Sequence, residues 1–175
     1  EESLKDIHFK ASKDVLTNYY KNFPDSDLLT GKSLVVGGSH QVNKFQDDIQ
    51  YGDLSAVLMQ NTPFWGHWIR TPELSIALLD EWESKIEQLA RTTINENVTS
   101  LAGVPTWTII LIKRILEISG KETLKEVWPN LELYMHGGVS FTPYRDQLNR
   151  LIGAPINYLE TYNASEGFFA AQNKP

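Results

Sequence analysis

Cysteine is absent from all 175 residues, which excludes disulfides and thiolate metal ligands and fits a reducing compartment, so a cytoplasmic location is expected. An excess of basic residues is missing too. The net charge is −6, and no run of Lys and Arg interleaves with aromatics, which argues against nucleic acid as a partner. No apolar stretch is long enough to span a bilayer, so no membrane partner is expected. The opening Glu1-Glu-Ser-Leu-Lys-Asp6 has neither a basic nor an apolar leader region and does not read as a secretory signal. Low-complexity tracts, internal repeats and composition breaks that would mark a second domain are likewise lacking. What is present, 41% hydrophobic and 22% charged residues, is the composition of one soluble globular unit with a real core.

Periodicity supplies the elements. Leu4, Ile7, Ala11, Val15 and Tyr19 recur at helical spacing over residues 4–22, and Pro24 with Asp25-Ser-Asp27 ends the run. Ser33–Val36 reads as a buried strand closed by Gly37-Gly38, residues 40–54 as a long loop, and Ala56–Met59 as a second strand. A helix is expected from Glu73 to Arg91, with Leu74, Leu78, Trp82, Ile86 and Leu89 as its apolar stripe. The pairs Glu81/Lys85 and Glu87/Arg91 fall on its solvent side, with Thr71 as N-cap and Pro72 at the first position. Val98–Ala102 is a strand, Gly103–Pro105 a turn, and Thr106–Ser119 a buried helix ended by Gly120. A short helix at 122–127 follows, then a strand Leu131–Met135, a helix Pro143–Leu151, a strand Ile156–Glu160 and a further strand at Phe168–Ala171. Alternating strands and helices imply an α/β layered fold with a largely parallel sheet flanked by helices. Ligands in such sheets bind at the carboxyl ends of the strands.

Most chemistry-bearing patterns read structurally. Gly31-Lys-Ser33 lacks the upstream glycine and the strand-to-helix context of a phosphate-binding loop. The histidines His8, His40, His67 and His136 show no ligand spacing for a metal. His136, beside a glycine pair, suits a structural role or a site role equally. Phe64, Trp65 and Trp68 either line an apolar pocket or fill core. Asp80, Glu81, Glu83 and Glu87 read as a solvated helix face. Asn97-Val-Thr99 and Asn163-Ala-Ser165 match a glycosylation pattern by chance. The segment Tyr162–Gly167 differs, because it sets an aromatic ring, a hydroxyl and a carboxylate within a few residues beyond a strand. Such groups can stack on adenine, donate to a phosphate and hold Mg2+; Ser-Glu-Gly can equally form a turn or cap a helix.

Three stretches in order carry a resemblance. They are Leu101-Ala-Gly-Val-Pro-Thr-Trp107, His136-Gly-Gly-Val-Ser-Phe-Thr-Pro-Tyr-Arg145 and Glu160-Thr-Tyr-Asn-Ala-Ser-Glu-Gly-Phe-Phe169. Together with Gly37-Gly-Ser-His-Gln41 and Tyr51-Gly-Asp-Leu-Ser-Ala56, they make nearly the whole chain resemble the auxin-responsive Gretchen Hagen family of acyl acid–amido synthetases, its bacterial members above all. That family belongs to the adenylate-forming superfamily. The resemblance implies that ATP and a small-molecule carboxylic acid give an acyl-adenylate, which an amine or amino acid then attacks to form an amide.

By that resemblance Tyr162 stacks on adenine, Ser165 contacts the α-phosphate, and Glu166 binds Mg2+. Ser165 and Glu166 are thereby the catalytic candidates, with ATP/AMP and Mg2+ as cofactors. Gly137, Gly138, Val139 and Thr161 line the rest of the nucleotide site. Asn163 stands where many superfamily members have glycine. The family's phosphate loop, its Tyr-Arg-x-Gly-Asp motif and its mobile C-terminal domain have no counterpart in residues 1–175. The chain is therefore expected to be a single α/β segment of the adenylation domain of a longer enzyme, inactive alone. A non-catalytic nucleotide-binding or interaction domain that retains the fold is the other reading.

Overall fold

The computed structural model describes residues 4–37, 42–46, 49–64 and 66–174. A π-helical turn Leu4–Phe9 leads into α1 (Lys10–Asn22), and a 3-10 turn Leu28–Thr30 into β1 (Lys32–Val36). Then come β2 (Val42–Gln46), β3 (Ile49–Gly52), α2 (Leu54–Gln60), α3 (Gly66–Ile69), β4 (Arg70–Thr71), α4 (Leu74–Ala77) and α5 (Trp82–Thr93). The second half runs β5 (Val98–Gly103), α6 (Pro105–Ser119), α7 (Leu124–Val127), β6 (Leu133–His136), α8 (Thr142–Ile152), β7 (Asn157–Ala164) and β8 (Gly167–Ala171). The main sheet has six strands in the order β4-β1-β5-β6-β7-β8. All its pairs are parallel except β7 with β8, and β2 and β3 form a separate antiparallel pair. The expected α/β architecture is therefore present.

Strand alternation sorts the sheet into two faces. Leu34, Val36, Leu101, Tyr134 and Tyr158 meet Ile86, Leu89, Ile109, Ile112, Leu148 and Ile152 of α5, α6 and α8 in one large apolar cluster. The opposite face is covered by α1, where Val15 and Tyr19 join Leu133 and Leu159. Tyr19 is fully buried, yet its hydroxyl is satisfied: it donates to Glu132 Oε1 at 2.6 Å and accepts from Asn157 Nδ2 at 2.8 Å. Burial, and then the carboxylate beside it, push the Tyr19 phenol well above its ordinary pKa, so it stays neutral and donating.

The second half follows the sequence expectations closely. Pro105 starts α6 at a position that needs no amide, and Gly120 ends it in the left-handed region at φ 65°. The short helix expected at 122–127 is α7, closed by a capping box in which the Glu126 carboxylate accepts from the Thr123 amide at 3.2 Å.

The first half departs from expectation in four places. Within the stretch 40–54, expected as a plain loop, the described residues form the antiparallel strands β2 and β3, and residues 47 and 48 lie outside the described residues. Ala56–Met59 lies in helix α2, because the Asp53 carboxylate accepts from the Ser55 amide at 2.9 Å and the Ala56 amide at 3.3 Å. Ala56 and Met59 then bury against Ala77 and Leu78. The expected helix 73–91 is broken into α4 and α5. The Glu81 carboxylate takes the Glu83 and Ser84 amides at 3.0 and 2.6 Å and starts a new helix there. Thr71 is accordingly the end of β4 rather than an N-cap, and Glu73 and Glu81 hold the two cap positions.

The face of α5 also divides otherwise than expected. Glu87 pairs with Arg91 at 2.5 Å on the exposed side, and reaches Arg114 of α6 at 2.6 Å. Lys85, however, is only 1% exposed. Phe64 and Trp68 fill no core: they are 74% and 71% exposed and meet edge-on at 5.9 Å. Trp65 and the stretch Gly38–Gln41 lie outside the described residues.

Replacing Tyr19 by Phe leaves the Glu132 and Asn157 groups short of a partner beneath α1. Urea unfolding at pH 7 should show a loss of about 1–3 kcal/mol, the cost of unmet buried polar groups. An unchanged midpoint and slope would remove this network from the list of what holds α1 to the sheet.

Candidate functional site

The parallel strands β1, β5, β6 and β7 end on one edge, and small residues open space there. On the α1 side of the sheet, β1 and β5 present Ser33, Val35, Ser100 and Ala102, whereas β6 and β7 present the larger Leu133, Met135 and Leu159. Helix α1 packs on the larger set and leaves the smaller set uncovered. The result is a mainly apolar cavity of about 540 Å³, walled by Val15 and Leu16 of α1, Leu54 and Leu58 of α2, Trp107 of α6 and Phe168 of β8. At its strand-end rim lie Gly37, Gly103, His136, Gly137, Gly138 and Thr161.

A second, shallower groove of about 620 Å³ runs along the other side of the same rim. Gly138, Val139, Ser140, Glu160, Thr161, Tyr162 and Gln172 are among its walls. Gly138 and Thr161 thus face both spaces and form a shared wall. That wall is thin because Gly137 is glycine: a Cβ there would run into the Thr161 carbonyl oxygen. Gly138 takes φ 80°, a backbone conformation costly for any other residue except Asn or Asp. The Thr161 hydroxyl closes the join by donating to the His136 carbonyl at 3.3 Å. Tyr162 is 61% exposed and stacks one ring face on Phe169 at 5.0 Å, an aromatic platform beside the groove.

The segment 160–167 is more ordered than a loop at a strand end. Strand β7 continues through Ala164, pairs with β8 from Thr161↔Ala171 to Ala164↔Gly167, and leaves Ser165 and Glu166 as the two-residue connection. Asn163, which stands where many superfamily members have glycine, accepts through Oδ1 from His8 Nδ1 at 2.9 Å, which ties the N-terminal turn to the hairpin. The structure therefore brings Gly137, Gly138, Val139, Thr161 and Tyr162 to one rim. Ser165 and Glu166 stand on the hairpin tip, outside the walls of both spaces. Among the described residues no group of three or more His, Asp or Glu forms a metal cage. A single exposed carboxylate such as Glu166 fits Mg2+ only in the manner of nucleotide sites, where phosphates and waters supply the other oxygens.

Two buried ionisable groups lie at the rim: Lys85, whose burial the sequence did not indicate, and His136, which it left open between a structural and a site role. Lys85 Nζ donates to the Gly37 carbonyl at 3.1 Å, at the end of β1 and below the cavity rim. Burial lowers its pKa, while the negative charges of Asp53 and Asp80 oppose that shift. Its i, i+4 spacing from Glu81 looked like a surface pair; only the packing of α5 under β1 reveals the inward course. His136 is 3% exposed, stacks on Phe141 at 3.9 Å, and keeps an Nδ1 without a partner among the described residues. Burial depresses its pKa, Glu160 raises it and Arg145 lowers it further.

The sequence pattern of the GH3 family N-terminal domain matches residues 5–156. No curated protein matches the chain. Among solved structures, the GH3.15 acyl acid amido synthetase shares the fold at a TM-score of 0.75 and 14% identity, over 100% of this chain and 40% of that one. The chain thus spans less than half of that relative's length. ATP-bound MatB from Rhodopseudomonas palustris aligns at a TM-score of 0.47 and 15% identity, over 93% of this chain and 26% of its own. A 2-hydroxyisobutyryl-CoA ligase in complex with 2-HIB-AMP and CoA aligns at 0.45 and 11%, over 78% and 27%.

His136 gives a test of the rim's electrostatics. Its folded pKa lies below the ordinary 6.5, so below that pH the unfolded chain takes up a proton that the folded chain refuses. Stability should therefore fall as pH drops from 6.5 towards the depressed value, by up to about 1.4 kcal/mol per pH unit. Chemical unfolding at pH 7 and pH 5 should show this loss in the unmodified protein and a smaller one in His136→Phe. Parallel pH profiles for the two would contradict the burial effect.

Proposed function

The chain belongs to the GH3 family, and on that premise we propose that it is the α/β core of the adenylation domain of a longer ATP-dependent ligase. The ligase joins a carboxylic acid to an amine through an acyl-adenylate. The observation that carries this reading is the shared wall of Gly138 and Thr161. An exposed aromatic platform lies on one side of it and a mainly apolar cavity on the other.

A carboxylate is a poor electrophile, so amide formation needs a better leaving group. In the first step a carboxylate oxygen attacks the α-phosphorus of ATP, the bond to the β-phosphate oxygen breaks, and pyrophosphate leaves. In the second step the amine nitrogen attacks the acyl carbon, AMP departs with the bonding electron pair, and the nitrogen loses a proton. The reaction requires nucleotide and acid to be held in contact through a narrow passage, and near-attack placement accounts for much of such rate enhancement.

The chain's residues divide these tasks. Tyr162 supplies a ring face for adenine, while Gly138, Val139 and the side of Thr161 flank it in the groove and Gly137 lies on the cavity side of the same wall. Ser165 donates its hydroxyl to the α-phosphate, and Glu166 offers a carboxylate for Mg2+. Mg2+ there would neutralise phosphate charge as the phosphoryl bonds rearrange. The cavity walls of Val15, Leu16, Leu58, Trp107 and Phe168 take the apolar body of the acid.

A non-catalytic nucleotide-binding or interaction domain is the second reading, favoured by the position of Ser165 and Glu166 outside both spaces. Pyrophosphate exchange separates the two. A full-length protein containing this chain should show carboxylate-dependent exchange of labelled pyrophosphate into ATP, reduced at least about 100-fold in Glu166→Gln. Exchange at the unmodified rate in that variant would remove the metal role, and no exchange with any acid would favour the second reading. For the 175-residue chain itself, Tyr162→Ala should weaken ATP binding in calorimetry by about 1–3 kcal/mol. An unchanged dissociation constant would remove the stacking role.

A further inference from the structure

The floor of the inner cavity is not uniformly apolar. Ser33 of β1 and Ser100 of β5 are register partners, so their side chains stand next to each other on the cavity face. Ser100 is only 3% exposed, and neither hydroxyl is engaged by another described residue. A third hydroxyl, Ser12 of α1, lines the same space and donates to the His8 carbonyl at 2.8 Å, leaving its lone pairs able to accept. A wholly apolar ligand filling this cavity would cover the hydroxyls of buried Ser100 and half-buried Ser33 without giving either a partner, and stranded polar groups are what discriminate most sharply among ligands.

The strand ladder sets the distance of this polar spot from the rim. Ser100 pairs with Leu133 and Ala102 with Met135. Gly137 therefore lies four residues beyond the level of Ser100, roughly 13 Å along the strands. Allowing for a hydrogen bond of about 2.8 Å at the floor and van der Waals contact at the rim leaves roughly 8–10 Å for the ligand.

We propose that the acid taken up by this cavity has a rigid apolar body with a hydroxyl group at the end remote from its carboxylate, bound by Ser33 and Ser100. The proposal rests on the reading of the cavity as the acyl site. In that pose the carboxylate points at the Gly137–Gly138 rim where the nucleotide enters, the ring lies between Leu58, Trp107 and Phe168, and the hydroxyl both donates to and accepts from the serine pair. Specificity then resides in two residues from strands distant in sequence, neither of which touches the reacting atoms.

The test uses the 175-residue chain and two probes of nearly equal shape, 4-hydroxycinnamate and 4-methylcinnamate, with binding followed by ligand-observed NMR titration. The hydroxy acid should bind about tenfold more tightly or better, the ratio expected for one well-made hydrogen bond against a stranded hydroxyl. Ser100→Ala should shrink that ratio to within about threefold, and Ser33→Ala on the neighbouring strand should shrink it too. Both changes remove one oxygen without adding volume, and unfolding midpoints confirm that the variants fold. A methyl analogue that binds as well as the hydroxy acid, or a preference that survives Ser33→Ala/Ser100→Ala, overturns the proposal while leaving the acyl site in place. No saturable binding of either acid, with ATP binding intact, overturns both the proposal and the acyl-site reading. Loss of ATP binding as well would instead count against the nucleotide groove.

Discussion

The Thr161 carbonyl lies so close to Gly137 that no side chain fits between the chain leaving β6 and the middle of β7. The rest of the rim depends on that contact. It lets β7 run on past the sheet edge, so that Tyr162 reaches the outer groove while Asn163 and Phe168 of the same hairpin face inward to the cavity. It also keeps the wall between groove and cavity to the thickness of a backbone, with Gly138 at φ 80° and Thr161 on both sides. An alanine at position 137 would have to push the two strands apart, and with them the two spaces.

The opposite end of the rim is held by a different device. Lys85 leaves α5, passes under β1 and donates to the Gly37 carbonyl, close enough to Asp53 and Asp80 for their charges to raise its affinity for a proton. A buried ammonium is costly unless carbonyl oxygens and opposite charges surround it. Here those partners belong to three separate elements. Asp53 also caps α2, so one cationic side chain links the helix layer, the end of β1 and the helix that closes the cavity. The same small residues that make space on β1 and β5 would otherwise leave this corner without support.

Much of this was legible in the sequence where one local signal sufficed. Pro105 and Gly120 bracket α6, and the run into His136-Gly-Gly138 ends β6 at the rim. The ordered motifs around Gly137, Gly138 and Tyr162 pointed to the rim residues that the fold then gathers. Legibility failed where a short run fits two periods. Ala56–Met59 is apolar in either a strand or a helix, and the decision came from the carboxylate of Asp53 taking two amides. It failed again where the deciding partner is remote. Lys85 beside Glu81 has the spacing of a surface pair, and Ser33 with Ser100 becomes a pair only through the register of β1 on β5. No window of sequence contains both members of that pair.

The hairpin divides the residues proposed for the nucleotide into two parts with different support. Thr161 and Tyr162 sit on β7, held by its ladder to β8, and Gly137 and Gly138 follow directly on the last paired residue of β6, so their placement follows closely from the sheet. Ser165 and Glu166 occupy the turn, beyond the last paired residues and outside both spaces. A turn at the tip of a two-stranded hairpin can be displaced at lower cost than a strand in the sheet, because few packed contacts restrain it. On the proposed reading, adenine would meet the part fixed by the sheet, and the phosphates and metal the turn that is displaced at lower cost. That division is physically consistent with a reaction in which the purine stays fixed while the phosphates change partners.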